Sequence, residues 1–153
     1  MSIANYLEQV QQSLAHLYQN PIVAIVFTTF LVLATISDVK TRKIPNMLNG
    51  IFMIARFILI PWLSFSMYDI AGGLVAFVAL LIPAIVKMQK MGGDIKMAGV
   101  IGLYTGVYLV PVFIVLACIY FALYVGASKR MLPFAPFFLA SNLTLMTIFY
   151  SFL

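Results

Sequence analysis

Long apolar runs separated by short polar breaks set the pattern of this chain. Residues 1–20 differ from the rest. Leu7, Val10, Leu14 and Leu17 recur at helical spacing among Gln and Glu, which predicts a short amphipathic helix on a membrane surface or against a bundle. Apolar stretches then follow at about 21–37, 46–63 and 70–86, the first opened by Pro21. The run 97–126 is too long for one membrane helix, since a helix of ~20 residues already crosses a bilayer. Gly102, Gly106 and Pro111 interrupt it, so it divides into a short helix at about 94–106 and a full one at about 108–127. A last stretch covers about 136–153. The reading is an all-α, polytopic helix bundle of about six transmembrane helices over 21–153, preceded by the amphipathic helix 1–20. A count of five, with 97–126 as one tilted helix, is the alternative.

Composition strengthens the membrane reading. The chain is 64% hydrophobic and 8% charged, with a mean hydropathy of +1.10, against about 25% charged residues in soluble domains. One cysteine, Cys118, allows no disulfide within the chain and no cysteine-based zinc site. The lone His16 has no His or Cys neighbour, so no metal is expected.

Charge orients the bundle. Lys40, Arg42 and Lys43 fall in the first loop, Lys87, Lys90 and Lys96 around the third, Lys129 and Arg130 in the fifth. With six spans, eight of the nine positive charges share one side, which the positive-inside rule makes cytoplasmic. Both termini then lie outside, and the net charge of +5 needs no nucleic-acid partner. The ninth, Arg56, lies inside the second span. It either pairs within the bundle or serves a function there.

Four acids are present: Glu8, Asp38, Asp69 and Asp94. Glu8 fits a solvated helix face. Asp69, before "IAGGLVAF", is placed to cap the third span. Asp38 ends the first span and Asp94 begins the fourth, both on the cytoplasmic side. If those helices are neighbours, the two carboxylates converge. Carboxylates sharing a site cannot both ionise cheaply, so one serves as general base and the other as general acid on a water held between them. Each also has a plainer role: Asp38 paired with Lys40 or Arg42, and Asp94 as a helix cap with Gly92 and Gly93 turning into it.

At these residues the chain resembles the type IV prepilin peptidase family, the membrane aspartic peptidases that carry a GxGD motif. One family motif is an aspartate followed by a basic residue and IPN; here "SDVKTRKIPN" supplies Asp38, Arg42, Ile44, Pro45 and Asn46. The other reads GxGDxK; here "MGGDIKMAG" supplies Gly93, Asp94 and Lys96, with Met91 in place of the first glycine and Gly92 beside it. A third likeness is "LPFAPFFLAS", with Pro133, Phe134 and Pro136. The resemblance implies Asp38 and Asp94 as catalytic residues, no cofactor, and cleavage of the basic leader of a prepilin or pseudopilin at the cytoplasmic face of a plasma membrane, most simply the bacterial inner membrane. Bifunctional relatives carry an insertion with paired CxxC motifs for N-methylation. With Cys118 alone, this chain resembles the short, peptidase-only class that includes the Tad (Flp) pilus type. The rival expectation is a non-enzymatic membrane protein: a proton-coupled transporter subunit using Asp38, Asp94 and Arg56, or a structural subunit of a pilus or secretion assembly.

Overall fold

The computed structural model describes residues 2–86, 92–128 and 133–152. Among them every regular element is a helix: α1 (Ile3–Tyr18), α2 (Pro21–Thr41), α3 (Asn46–Ile58), α4 (Met67–Val86), α5 (Gly92–Ser128) and α6 (Ala135–Phe152). Lys87, Lys90, Met91, Lys129 and Arg130, which carry part of the charge and motif reading, lie outside the described residues. Among the described residues three helices are long and apolar enough to cross a membrane, namely Pro21–Thr41, Gly92–Gly126 and Ala135–Phe152. Asn46–Ile58 and Met67–Ile82 are apolar but shorter.

Local chemistry starts the first helices. The Ser2 hydroxyl accepts from Asn5 N–H at 3.3 Å and begins α1. Asn20 accepts from Ile22 N–H at 2.9 Å, and Pro21 fills the first position of α2, where a missing N–H costs nothing. On α1 the buried stripe is Leu14, Leu17 and Tyr18. Leu7, expected on that stripe, is 60% exposed. The Tyr6 hydroxyl reaches Tyr108 O, His16 meets the Ser64 hydroxyl, and the Tyr18 hydroxyl donates to Asn142, so α1 lies across one end of the bundle.

Thirty-seven residues of α5 would reach about 55 Å if straight, nearly twice the ~30 Å hydrocarbon core. The helix breaks at Gly106, with φ 70° and ψ 171°, a conformation that only glycine adopts readily. The break falls where the interrupted apolar run predicts it. Tyr108 packs edge-on against Tyr6 and tilted against Tyr68 at the α1 end, whereas Phe121 and Tyr124 pack on Phe134 and Phe137 at the other. Thus 92–105 runs towards α1 and 107–128 runs back. The limb 92–105 meets α4 at its glycines. A Cβ on Gly72 would stand 2.5 Å from Gly106 C and 2.6 Å from Gly102 O, so the two backbones touch. Small residues permit such close approach between membrane helices.

Two predicted ends shift. The second span, expected to reach residue 63, stops at Ile58, and the chain beyond it turns around Arg56. Its guanidinium donates to Leu63 O at 2.9 Å and Ser64 O at 3.0 Å, which curls 59–65 around it. It also donates to Leu103 O and forms a 3.0 Å ion pair with Asp69. Arg56 is fully buried, so pairing within the bundle is its observed role. Asp69 sits within the first turn of α4 and not before it; its carboxylate reaches back to Ser66 N–H at 2.7 Å while holding Arg56. Cys118 is exposed on α5.

Removing one partner of a buried ion pair strands the other at a cost of roughly 3–5 kcal/mol. Arg56→Met should therefore lower the thermal midpoint sharply in detergent, with part of the loss recovered in Arg56→Met/Asp69→Asn. In the same assay Gly102→Ala should be severely destabilising, because its Cβ would run into Gly72 O, whereas Gly126→Ala meets open space and should be tolerated.

Candidate active site

The site lies at the end of the bundle remote from α1, where three chain segments meet. The first is the C-terminus of α2. This helix extends past the predicted end to Thr41, so Asp38 sits inside its last turn. Arg42 closes the helix in the left-handed conformation, φ 52°, and its N–H bonds Asp38 O. The hydroxyls of Ser37 and Thr41 both bond Lys43 O at 3.0 Å, folding the chain over the helix end. Ile44 is buried, and Pro45 precedes Asn46, the first residue of α3.

The second segment opens α5. Gly92 and Gly93 lie inside its first turn, not in a turn preceding it, and Asp94 follows on that turn. A carboxylate there faces the positive end of the helix dipole. A Cβ on Gly93 would come within 3.2 Å of Ile44 Cβ and 3.3 Å of Ile44 N, while one on Gly92 meets nothing within 4 Å. Gly93 is thus the point where α5 packs on the Ile44–Pro45 strand of the loop. Lys96 Nζ donates to Asn46 Oδ1 at 2.9 Å and ties the second motif to the first.

The third segment is the start of α6. Ala135 N–H donates to Asp38 Oδ2 at 3.2 Å. The first amides of a helix have no partner inside it, so a carboxylate is a natural acceptor. The sequence marks this spot only through Pro133 and Pro136, which set where the helix begins; a free backbone amide leaves no side-chain signature.

Asp38 and Asp94 line one cavity of about 340 Å³, together with Arg42, Lys43, Ile44, Pro45, Asn46 and Gly93. Asp38 is 5% exposed and Asp94 is partly buried. The alternative pairing of Asp38 with Lys40 or Arg42 is not made: among the described residues the ion pair found is Arg56–Asp69. Nor do Asp38, Asp94 and Arg56 form a relay, since Arg56 is held at the opposite end with Asp69, Leu63 and Ser64. Both aspartates of the two motifs, with Arg42, Lys43 and Gly93, therefore line this cavity; Lys96 reaches it through Asn46. Among the described residues no group of three or more His, Cys, Asp or Glu side chains comes together, so a bound metal would have two carboxylates at most here. Two carboxylates thus border one cavity, with an N–H fixing one of them.

Comparison with known families gives one finding. The family model of the type IV leader peptidase family matches residues 25–126, which contain Asp38, the loop 42–46 and Asp94 and stop short of α6. No curated protein and no solved structure matches the chain.

Gly92→Ala should leave stability and activity near wild type. Gly93→Ala must displace Ile44 by a few tenths of an ångström, and both thermal midpoint and peptide cleavage should fall. Lys96→Met should behave like Gly93→Ala, because it frees Asn46. Parallel melts and cleavage assays in the same detergent check all three.

Proposed function

The chain belongs to the type IV leader peptidase family, a family of membrane peptidases with protein substrates, and we propose that it is an aspartic endopeptidase with Asp38 and Asp94 as its catalytic pair. The observation that carries this is the shared cavity of the two carboxylates, walled by the residues of both motifs. One carboxylate takes a proton from a water placed between them. The water oxygen bonds the peptide carbonyl carbon, and the protonated partner donates to the carbonyl oxygen. As the C–N bond breaks, the proton taken from water passes to the leaving amine. Ala135 N–H holds Asp38 in place through this exchange.

The substrate we propose is a type IV prepilin or pseudopilin, cut between its short basic leader and the hydrophobic segment that follows. Support comes from the depth of the pair. Asp38 lies one turn from the polar end of an apolar helix and Asp94 in the first turn of another, which suits a pair working at the membrane boundary. We further propose six crossings, counting the limbs 92–105 and 107–128 separately, with the basic loop 40–43 in the cytoplasm. The setting would be the bacterial inner membrane and both termini would lie outside. Chain reversal at Gly106 supports that count. A peptidase without N-methylation activity, as in the Tad-type systems, fits a chain with one exposed cysteine.

Co-expression with a prepilin precursor in membranes, followed by gel mobility, tests the assignment. Wild type should remove the leader. Asp38→Asn and Asp94→Asn should each lose about 10²-fold or more, the usual worth of a positioned acid or base. Glu8→Gln, on the exposed face of α1, should cleave like wild type. The wild-type rate should be bell-shaped in pH, with limbs that belong to the pair and not to either residue. Full activity in either asparagine variant overturns the assignment.

A further inference from the structure

A second cavity adjoins the first. It is a groove of about 460 Å³, walled mainly by apolar atoms, between α3 and α4 with the limb 92–105 as its floor. Asn46 lines both cavities, and Lys96, bonded to Asn46, lines the groove as well. One helical turn further from the aspartates lies Asn49, about 4.5 Å along α3. Asn49 is 5% exposed, and neither its side-chain oxygen nor its nitrogen has a partner among the described residues. Buried amides are almost always bonded, so two unmet groups on one side chain call for an occupant. The next residue, Gly50, also lines the groove and has nothing within 4 Å of its Cβ position.

We propose that this groove is the subsite for the apolar residues that follow the scissile bond, with the Asn49 amide bonding their backbone. The proposal rests on the peptidase reading above. Three features select this occupant. The groove shares Asn46 with the aspartate cavity. Its apolar walls suit the hydrophobic side chains of a membrane segment. An amide with one donor end and one acceptor end matches an unwound peptide, which offers both an N–H and a C=O that must be bonded in the membrane. A lipid chain would satisfy the walls and leave Asn49 unmet. From Asn46 to Met53 the groove follows α3 for about 10 Å, room for roughly three extended residues. Hydrolysis needs such an extended stretch, and this groove would hold it open on the side of the bond away from the leader. Asn49 is in this account a positioning residue.

The test compares wild type, Asn49→Leu and Gly50→Phe on one full-length prepilin precursor in membranes, reading KM, kcat and thermal midpoint. Asn49→Leu keeps the volume and removes the unmet amide, so its midpoint should equal or exceed that of wild type. Its KM should rise about tenfold, the worth of one hydrogen bond, with kcat changed far less. Gly50→Phe fills the groove without meeting backbone and should raise KM at least as much. A merely structural Asn49 would instead lower the midpoint and leave KM alone. If wild type cleaves and both variants keep its KM, the groove proposal is overturned and the catalytic assignment stands; a lipid occupant gives this same result. If wild type does not cleave, both fall. Should Gly50→Phe fail to accumulate, Asn49→Leu decides.

Discussion

Contact between the backbones of α4 and the limb 92–105 is the constraint on which the rest depends. At Gly72 and Gly102 there is no room for even a methyl group. In a membrane the hydrophobic effect gives helices little reason to associate, and packing of small residues takes its place. This contact fixes the limb that begins with Asp94. The same limb then presents Leu103 O and the Tyr104 ring to Arg56 at one end and Lys96 to Asn46 at the other. Gly106 ends it by reversing the chain, which returns α5 to the end it started from. A bundle of modest length thereby brings the polar ends of several helices together.

Two polar systems occupy opposite ends of this frame, and they differ in kind. The Arg56–Asp69 pair is densely bonded: three carbonyls, a backbone N–H and two aromatic faces surround it. Among the described residues, the hydrogen bond made to Asp38 and Asp94 side chains is one N–H from Ala135. The first ties α3, α4 and α5 together, while the two carboxylates of the second border a cavity, where the proposed chemistry needs them. Asn49, unmet one turn along α3, belongs with the second kind.

Much of this was legible in the sequence, and the limits have physical causes. The apolar runs located the helices, and Gly106 located the break, since a positive φ demands glycine. Asp38 and Asp94 could be placed at one end because each flanks an apolar run on the same side of the bundle. The Arg56–Asp69 pair was not legible. Asp69 looks like a simple cap, and it does reach back to Ser66, but the same carboxylate also meets an arginine thirteen residues earlier. Beyond the end of α3 the chain curls back so that Leu63 O and Ser64 O meet the guanidinium. The Ala135 N–H and the unmet Asn49 amide were invisible for a related reason. Both depend on which backbone or cavity lies opposite, and residue type alone does not encode that.

The central claim is that Asp38 and Asp94 act on one water as a unit. Its most direct test is the residual cleavage rate of Asp38→Asn, Asp94→Asn and the double variant against the same precursor. Residues that act as a unit lose their function together, so the double variant should be no slower than the slower single. Losses that multiply in the double variant would mean two independent roles and would contradict the account.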